Sequence, residues 1–187
     1  MSDRLKVLAI SGSVRESSFN TALLKAASEL TGSEFEFEFY DGIAQLPIFS
    51  QELEGTNRPK QATDLDEVIR ATDAVLISTP EYNGSLPGGL KNLLDWGSRP
   101  YANGPFAGKP VAVISTSTGR YGGARAVEAT SDILRHIGAS VLNDRLTVAS
   151  AQSKIDSEGV LRDDITKRSL AHIVERLRDL AKFGVAA

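Results

Sequence analysis

Cysteine is missing from this sequence altogether, and histidine occurs only twice in 187 residues. The absence of cysteine excludes disulfide bonds, thiol catalysis and thiolate metal ligands, and we expect no metal site. Acidic and basic residues nearly balance at a formal net charge of -3, whereas nucleic acid requires a basic footprint. No apolar run approaches the ~20 residues that span a bilayer, and no signal peptide precedes the first predicted strand. We therefore expect a cytoplasmic protein with neither nucleic acid nor a membrane as a partner.

The apolar runs distinguish interior strands from edge strands. Residues 7–10, 75–77 and 111–114 are continuously apolar, which is typical of parallel strands buried on both faces. Residues 34–39 instead alternate strictly between glutamate and phenylalanine, which indicates one buried side and one wet side. Residues 141–148 hold an aspartate and an arginine among apolar residues, so this run also fits an edge strand.

Apolar residues at helical spacing follow each of these strands. The helical patterns cover residues 19–30, 65–72, 90–97, 126–137 and 170–181. Strand and helix therefore alternate, which predicts a parallel sheet with right-handed crossovers. With the second and fifth strands at the edges, the strand order is 2-1-3-4-5, because the order 3-2-1-4-5 would bury the alternating strand. We predict a three-layer α/β fold with five parallel strands, one domain over residues 1–187, and a ligand site between the first and third strands.

A loop of small hydroxyl residues, 11–20, joins the first strand to the first helix. Free backbone amides and the positive end of the helix dipole favour an anion there, and Arg15 can grip two phosphate oxygens at once. The loop lacks both the glycine pattern of dinucleotide binders and the Gly-Lys-Ser/Thr of nucleotide triphosphatases. It predicts a phosphate cradle, although Ser17 or Ser18 can equally be a simple N-cap.

Two further polar loops, residues 78–89 and 115–123, follow the third and fourth strands. The carboxyl ends of parallel strands share one rim of a sheet, so these loops converge with the cradle. Tyr82 and Asn83 suit a planar heterocycle with imide edges, and the hydroxyls and amides of the later loop suit its carbonyl oxygens. Glu81 is either a general base or a partner of backbone amides. Because no lysine, histidine or carboxylate pair is placed as a catalyst, we expect a cofactor to carry the chemistry and name no catalytic residue.

Three segments resemble the NAD(P)H-dependent FMN reductase family, a flavodoxin-like group that includes chromate, quinone and azo-dye reductases. They are residues 12–20 (GSVRESSFN), 80–92 (PEYNGSLPGGLKN) and 122–125 (GGAR), and the likeness covers nearly the whole chain. The resemblance implies that the first segment holds the FMN phosphate, with Phe19 packed beneath, and that the later loops frame the isoalloxazine ring. Gly84-Ser85 and Arg120-Tyr121 are departures that leave acceptor specificity open. The FMN-binding residues that the resemblance implies are Ser13, Arg15, Ser17, Ser18, Phe19, Asn20, Pro80, Glu81, Tyr82, Asn83, Gly84, Ser117, Thr118 and Gly119.

An FMN-dependent oxidoreductase is the function that this resemblance implies. Hydride passes from NADPH or NADH through bound FMN to a small acceptor such as a quinone, with chromate, azo or nitro compounds and free flavin as further acceptors. The alternative is a non-enzymatic flavodoxin-like electron carrier, which the mild net charge of -3 fits poorly. The resemblance also implies a homodimer with FMN near the subunit interface, and pairing of two such dimers would give a homotetramer. Trp96 is either a packing or an interface residue, and we place it in an apolar patch that a second subunit covers.

Overall fold

The computed structural model describes residues 4–184, and its strands and helices alternate as the apolar patterns predict. The strands are β1 (Leu5–Ser11), β2 (Phe35–Tyr40), β3 (Ala74–Ser78), β4 (Pro110–Thr116), β5 (Ser140–Val141) and β6 (Leu146–Val148). The helices are α1 (Phe19–Leu30), α2 (Lys60–Ala71), α3 (Gly88–Gly97), α4 (Ala124–His136) and α5 (Asp164–Phe183). Within residues 4–184, no helix combines the length and the hydropathy needed to cross a membrane.

The sheet is parallel throughout, with the order β2-β1-β3-β4-β5, and β6 also pairs with β4. The predicted order 2-1-3-4-5 is confirmed. The predicted single fifth strand is divided into β5 and β6. The amide of Leu142 still donates to the carbonyl of Val111 at 2.8 Å, and residues 143–145 then interrupt the pairing with β4. Polar contacts accompany this interruption: the carboxylate of Asp144 accepts a hydrogen bond from Arg176 of α5 at 3.1 Å.

The two faces of the sheet bury separate apolar clusters. One cluster packs α1 and α5 on one face, and the other packs α2, α3 and α4 on the opposite face. The alternating strand β2 lies at the edge, as expected. Its phenylalanines become more exposed toward the carboxyl end: Phe35 is buried, Phe37 is half-buried and Phe39 is 42% exposed.

Trp96 is fully buried inside the subunit, so the prediction that it lies in an outward-facing apolar patch is wrong. Its indole Nε1 donates a hydrogen bond to the carbonyl of Pro47 at 2.8 Å, and the ring of Phe49 meets it edge-on at 5.0 Å between centroids. The guanidinium of Arg58 covers the indole at 5.2 Å. Trp96 therefore holds the irregular connection between β2 and α2 against α3.

Candidate functional site

The loops that follow β1, β3 and β4 meet at the carboxyl rim of the sheet. Ser11, Ser78 and Ile114 lie beside one another in the ladder, so each loop leaves the sheet at nearly the same level. Between the loops lies a cleft of about 150 Å³. The cleft is lined by Ser13, Arg15, Ser18, Phe19, Asn20, Pro80, Glu81, Tyr82, Thr116, Ser117 and Thr118.

Four of the residues named from the sequence do not line this cleft. Ser17 lies in a neighbouring groove beside α1. Asn83 and Gly84 form the tip of the second loop, and Gly119 is exposed in the third loop. Thr116 is the cleft residue that the sequence reasoning missed. Its position in the polar loop 115–123, which follows the predicted fourth strand, was the available signal.

Asn20 joins the three converging chain segments through its side chain, which is 3% exposed. Its Nδ2 donates to the carbonyl of Thr116 at 3.0 Å, and its Oδ1 accepts from the amide of Thr116 at 3.0 Å. The same Oδ1 accepts from the hydroxyl of Ser78 at 2.9 Å. The first helix is thereby bound to the ends of β3 and β4, and this network occupies both polar atoms of the amide.

The serines of the first loop organise its main chain. Ser18 is the N-cap of α1, and its Oγ accepts from the amides of Asn20 and Thr21 at 3.2 and 3.4 Å. The Oγ of Ser13 accepts from the amide of Arg15 at 3.3 Å. In each case the serine oxygen acts as an acceptor, so its hydroxyl proton is free to donate to an anion. The N-cap role of Ser18 is thus compatible with a role in phosphate binding.

Arg15 is an exposed cation at the mouth of the cleft. Among residues 4–184, no carboxylate forms an ion pair with its guanidinium. An unpaired guanidinium beside a capped helix N-terminus and two serine hydroxyls is a donor set that fits a phosphate group. The FMN phosphate therefore fits the residues of the first loop.

A tight turn closes the second loop. Tyr82 and Ser85 exchange two main-chain hydrogen bonds of 2.9 and 3.1 Å. Between them Asn83 and Gly84 both have positive φ angles, of 53° and 77°, which is the geometry of a type I′ turn. Asn83 is exposed at the tip of this turn, where its side-chain amide is accessible to a ligand.

Glu81 caps a neighbouring helix. Its Oε2 accepts a hydrogen bond from the amide of Arg125, in the first turn of α4, at 3.1 Å. A carboxylate at a helix N-terminus is stabilised by the helix dipole, so of the two interpretations that the sequence left open, the bond to backbone amides is the one seen. The guanidinium of Arg125 also lies beside Gly84, which makes Arg125 a site neighbour that the motif GGAR signalled.

The glycine pair that precedes α4 is required by close packing against β6 and β4. Gly122 has a φ of +61°, and a Cβ there would lie 2.8 Å from main-chain atoms of Thr147 and Val148. Gly123 has a φ of +87°, and a Cβ there would lie 2.9 Å from the Oγ of Ser115. The third loop can therefore turn back over β4 only because both positions lack a side chain.

The strand order defines a flavodoxin-like fold, and the rim lies where such folds bind their ligands. Residues 5–153 match the model of the family described as NADPH-dependent FMN reductase. The chain belongs to that family. This membership confirms the predicted enzyme class, an oxidoreductase with FMN as cofactor and NAD(P)H as hydride donor. The alternative of a non-enzymatic electron carrier is not favoured.

Individual relatives align over almost the full chain. The chain is 38% identical to an NAD(P)H-dependent FMN reductase of Pseudomonas aeruginosa, with 95% of this chain and 96% of the relative covered. It is 35% identical to a quinone reductase of Pseudomonas putida over the whole of both chains. Among solved structures, the flavoenzyme NAD(P)H:(acceptor) oxidoreductase FerB of Paracoccus denitrificans superposes with a TM-score of 0.86 at 32% identity, covering 95% of this chain and 97% of FerB.

Proposed function

We propose that this protein transfers hydride from NAD(P)H through FMN to a quinone, and that the cleft at the carboxyl rim is where it does so. The observation that carries this proposal is the donor set of the cleft. At one end lie serine hydroxyls and the guanidinium of Arg15, which pairs with no carboxylate of residues 4–184, and at the other end lie the polar second and third loops. When bound, FMN supplies the redox chemistry. Among residues 4–184, Glu81 is the carboxylate that lines the cleft, and it is engaged as a helix cap, so we assign it a structural role and no role as a base.

In this proposal the first loop holds the FMN phosphate. Arg15 contributes charge, Ser13 and Ser18 contribute hydroxyl protons, and Ser17 completes the cradle from the side of the neighbouring groove. Phe19 packs beneath the phosphate. Asn20, whose amide is engaged with Ser78 and Thr116, positions the cradle relative to the later loops.

The isoalloxazine ring is assigned to the second and third loops. Residues 80–84 frame one side of it, with the Asn83 amide and the Tyr82 ring at its edge, and residues 117–119 frame the other side. The Oγ of Ser117 accepts from the amide of Gly119 at 3.1 Å, which orders the short segment assigned to the ring carbonyls. We propose that the whole chain, residues 1–187, forms one FMN-binding domain.

Flavin titration and reduction test this proposal directly. Purified protein should bind FMN much more tightly than riboflavin, because the cradle interacts only with the phosphate. The flavin absorbance should bleach when NAD(P)H is added without oxygen and should return when a quinone is added. Equal affinities for FMN and riboflavin would contradict the assignment of the first loop to the FMN phosphate.

We also propose that a second copy of the chain completes the site, as a homodimer or as a homotetramer. Two exposed aromatic side chains support this: Tyr82 is 48% exposed and Tyr121 is 64% exposed on the loops that flank the cleft. A twofold contact is the commonest way to cover such side chains. Light scattering on the flavin-loaded enzyme tests the idea, and full turnover by a monomer contradicts it. Chromate, azo and nitro compounds as acceptors, and a cytoplasmic location, stay predictions.

A further inference from the structure

A second groove, of about 550 Å³, begins at the phosphate end of the cleft. Arg15, Ser18 and Phe19 line both cavities, so the groove continues from the point where the FMN phosphate is assigned. From there it follows α1 on one side and the segment 152–159 on the other. A ligand that fills both cavities must therefore carry a further group on the flavin phosphate.

The lining of this groove is apolar at its base and charged at its edges. Ala22 and Ile155 are buried and form apolar surface between helix and loop. Lys25 is exposed on the helix side and forms no ion pair with any carboxylate of residues 4–184. Glu158 is exposed on the opposite side. The cations among the lining residues are Arg15 and Lys25, and the carboxylates are Glu16, Asp156 and Glu158. The apolar surface suits the adenine ring of a nucleotide, Lys25 suits a phosphate, and Glu158 suits the ribose hydroxyls.

The loop side of the groove is ordered by hydrogen bonds of its own. The carboxylate of Asp156 accepts from the amides of Val160 at 2.9 Å and Glu158 at 3.0 Å, and from Arg162 at 2.7 Å. These bonds, with the amide of Val160 as the largest contribution, hold the pKa of Asp156 below its ordinary value. The wall is thus formed before any ligand arrives, which lowers the entropy cost of binding.

We propose that this groove takes the adenylate half of FAD, so that the enzyme binds FAD as well as FMN. The connectivity selects FAD over NAD(P)H: the adenylate of FAD is attached at the flavin phosphate, where the groove begins, whereas NAD(P)H must place its nicotinamide at the ring end. Arg15 and Lys25 supply positive charge for the second phosphate, and Glu158 accepts from the ribose hydroxyls. The inference rests on the proposed assignment of the phosphate cradle.

Titration of the apo-protein with FMN, FAD and riboflavin tests the inference. We expect FAD to bind within about tenfold of FMN. Lys25→Glu should weaken FAD about fivefold, and Ser157→Trp, which fills the groove from an exposed loop position, should weaken it by at least about tenfold. Neither change should alter FMN affinity by more than about twofold. Lys182→Glu, an exposed lysine of α5 outside the groove, is the matched control and should affect neither flavin.

Four results would overturn the inference. FAD affinity more than about tenfold below that of FMN would show that the groove does not accept the adenylate. Lys25→Glu and Ser157→Trp that leave FAD affinity unchanged, or weaken both flavins equally, would place the adenylate elsewhere. A raised KM for NAD(P)H in these variants, with FAD affinity intact, would assign the groove to the donor instead. If neither flavin binds, the proposed cradle itself fails and the inference fails with it.

Discussion

Asn20 and Trp96 both hold a distant segment of main chain from a buried position, yet they do so by different physical means. Asn20 makes three hydrogen bonds of 2.9 to 3.0 Å to the ends of β3 and β4. The indole of Trp96 makes one hydrogen bond, to the carbonyl of Pro47 at 2.8 Å, and otherwise packs against Phe49 and Arg58. The first contact is directional and the second depends mainly on buried apolar area.

The difference matches what each region has to do. The loops at the cleft must keep polar groups at fixed distances from a ligand, and hydrogen bonds of narrow geometry do this. The connection between β2 and α2 needs only to stay packed, and a large aromatic side chain stabilises it through burial. We therefore expect damage at Trp96 to appear in stability, and damage at the cleft to appear in flavin binding.

The largest effect should follow from Trp96→Ala. Removal of a fully buried indole should lower the free energy of unfolding by about 3–5 kcal/mol, because both transfer free energy and cavity formation oppose the change. Urea unfolding of the apo-protein measures this. Tyr101→Ala, at a side chain that is 77% exposed, is the matched control and should stay within about 0.5 kcal/mol of the parent. Equal stability of both variants would contradict the buried role of Trp96.

Arg15→Ala should separate binding from stability. We expect FMN affinity to fall by about 1.5–3 kcal/mol, the range for a hydrogen bond to a charged group. The apo-protein should unfold at the same urea concentration as the parent, because the guanidinium makes no ion pair within residues 4–184. Riboflavin affinity should not change, and an equal loss for riboflavin would show that Arg15 acts on the ring rather than on the phosphate.

Asn20→Ala should affect both properties, and so it sharpens the contrast with Trp96. Leaving buried groups of Thr116 unpaired should cost about 1–3 kcal/mol of unfolding free energy, and FMN affinity should fall because the loops lose their mutual spacing. Denaturation and flavin titration of the same preparation measure the two effects. Asn103→Ala, at an exposed asparagine, is the control. Loss of FMN affinity with full stability would instead mean that Asn20 contacts the flavin itself.

Asp163 provides the mildest test, since it is a contact at the surface. The hydroxyl and the amide of Thr166 donate to its carboxylate at 2.6 and 2.8 Å and hold its pKa below the ordinary 3.8. A lowered folded-state pKa stabilises the protein above the unfolded value, and this stabilisation is lost as the pH falls through the folded-state pKa. Asp163→Ala should therefore have a lower free energy of unfolding than the parent at pH 6. The difference between the two proteins should be smaller at pH 3. Asp164→Ala, which removes the neighbouring carboxylate but no N-cap bond, is the control in the same urea unfolding experiments.

Local pattern in the sequence was enough to predict the sheet and its rim. Continuous apolar runs mark interior parallel strands and the Glu/Phe alternation marks an edge, so strand order followed from hydrophobic burial alone. The meeting of three polar loops at one rim then followed from the geometry of parallel strands. The family resemblance could be recognised from the segments 12–20 and 80–92, because the residues of each segment are contiguous in the sequence and no distant contact has to be known.

Only the tertiary structure decided what several individual side chains touch. Asn20 reaches Thr116 across 96 residues, and Glu81 reaches the amide of Arg125 across 44 residues, so no local spacing could reveal either bond. Tryptophan is common at subunit interfaces, but in this fold the connection after β2 packs over Trp96 and buries it. A sequence determines which chemical groups are available and the periodicity with which they are buried. The pairing of groups far apart in the chain depends on how the elements pack, and packing is a property of the whole fold.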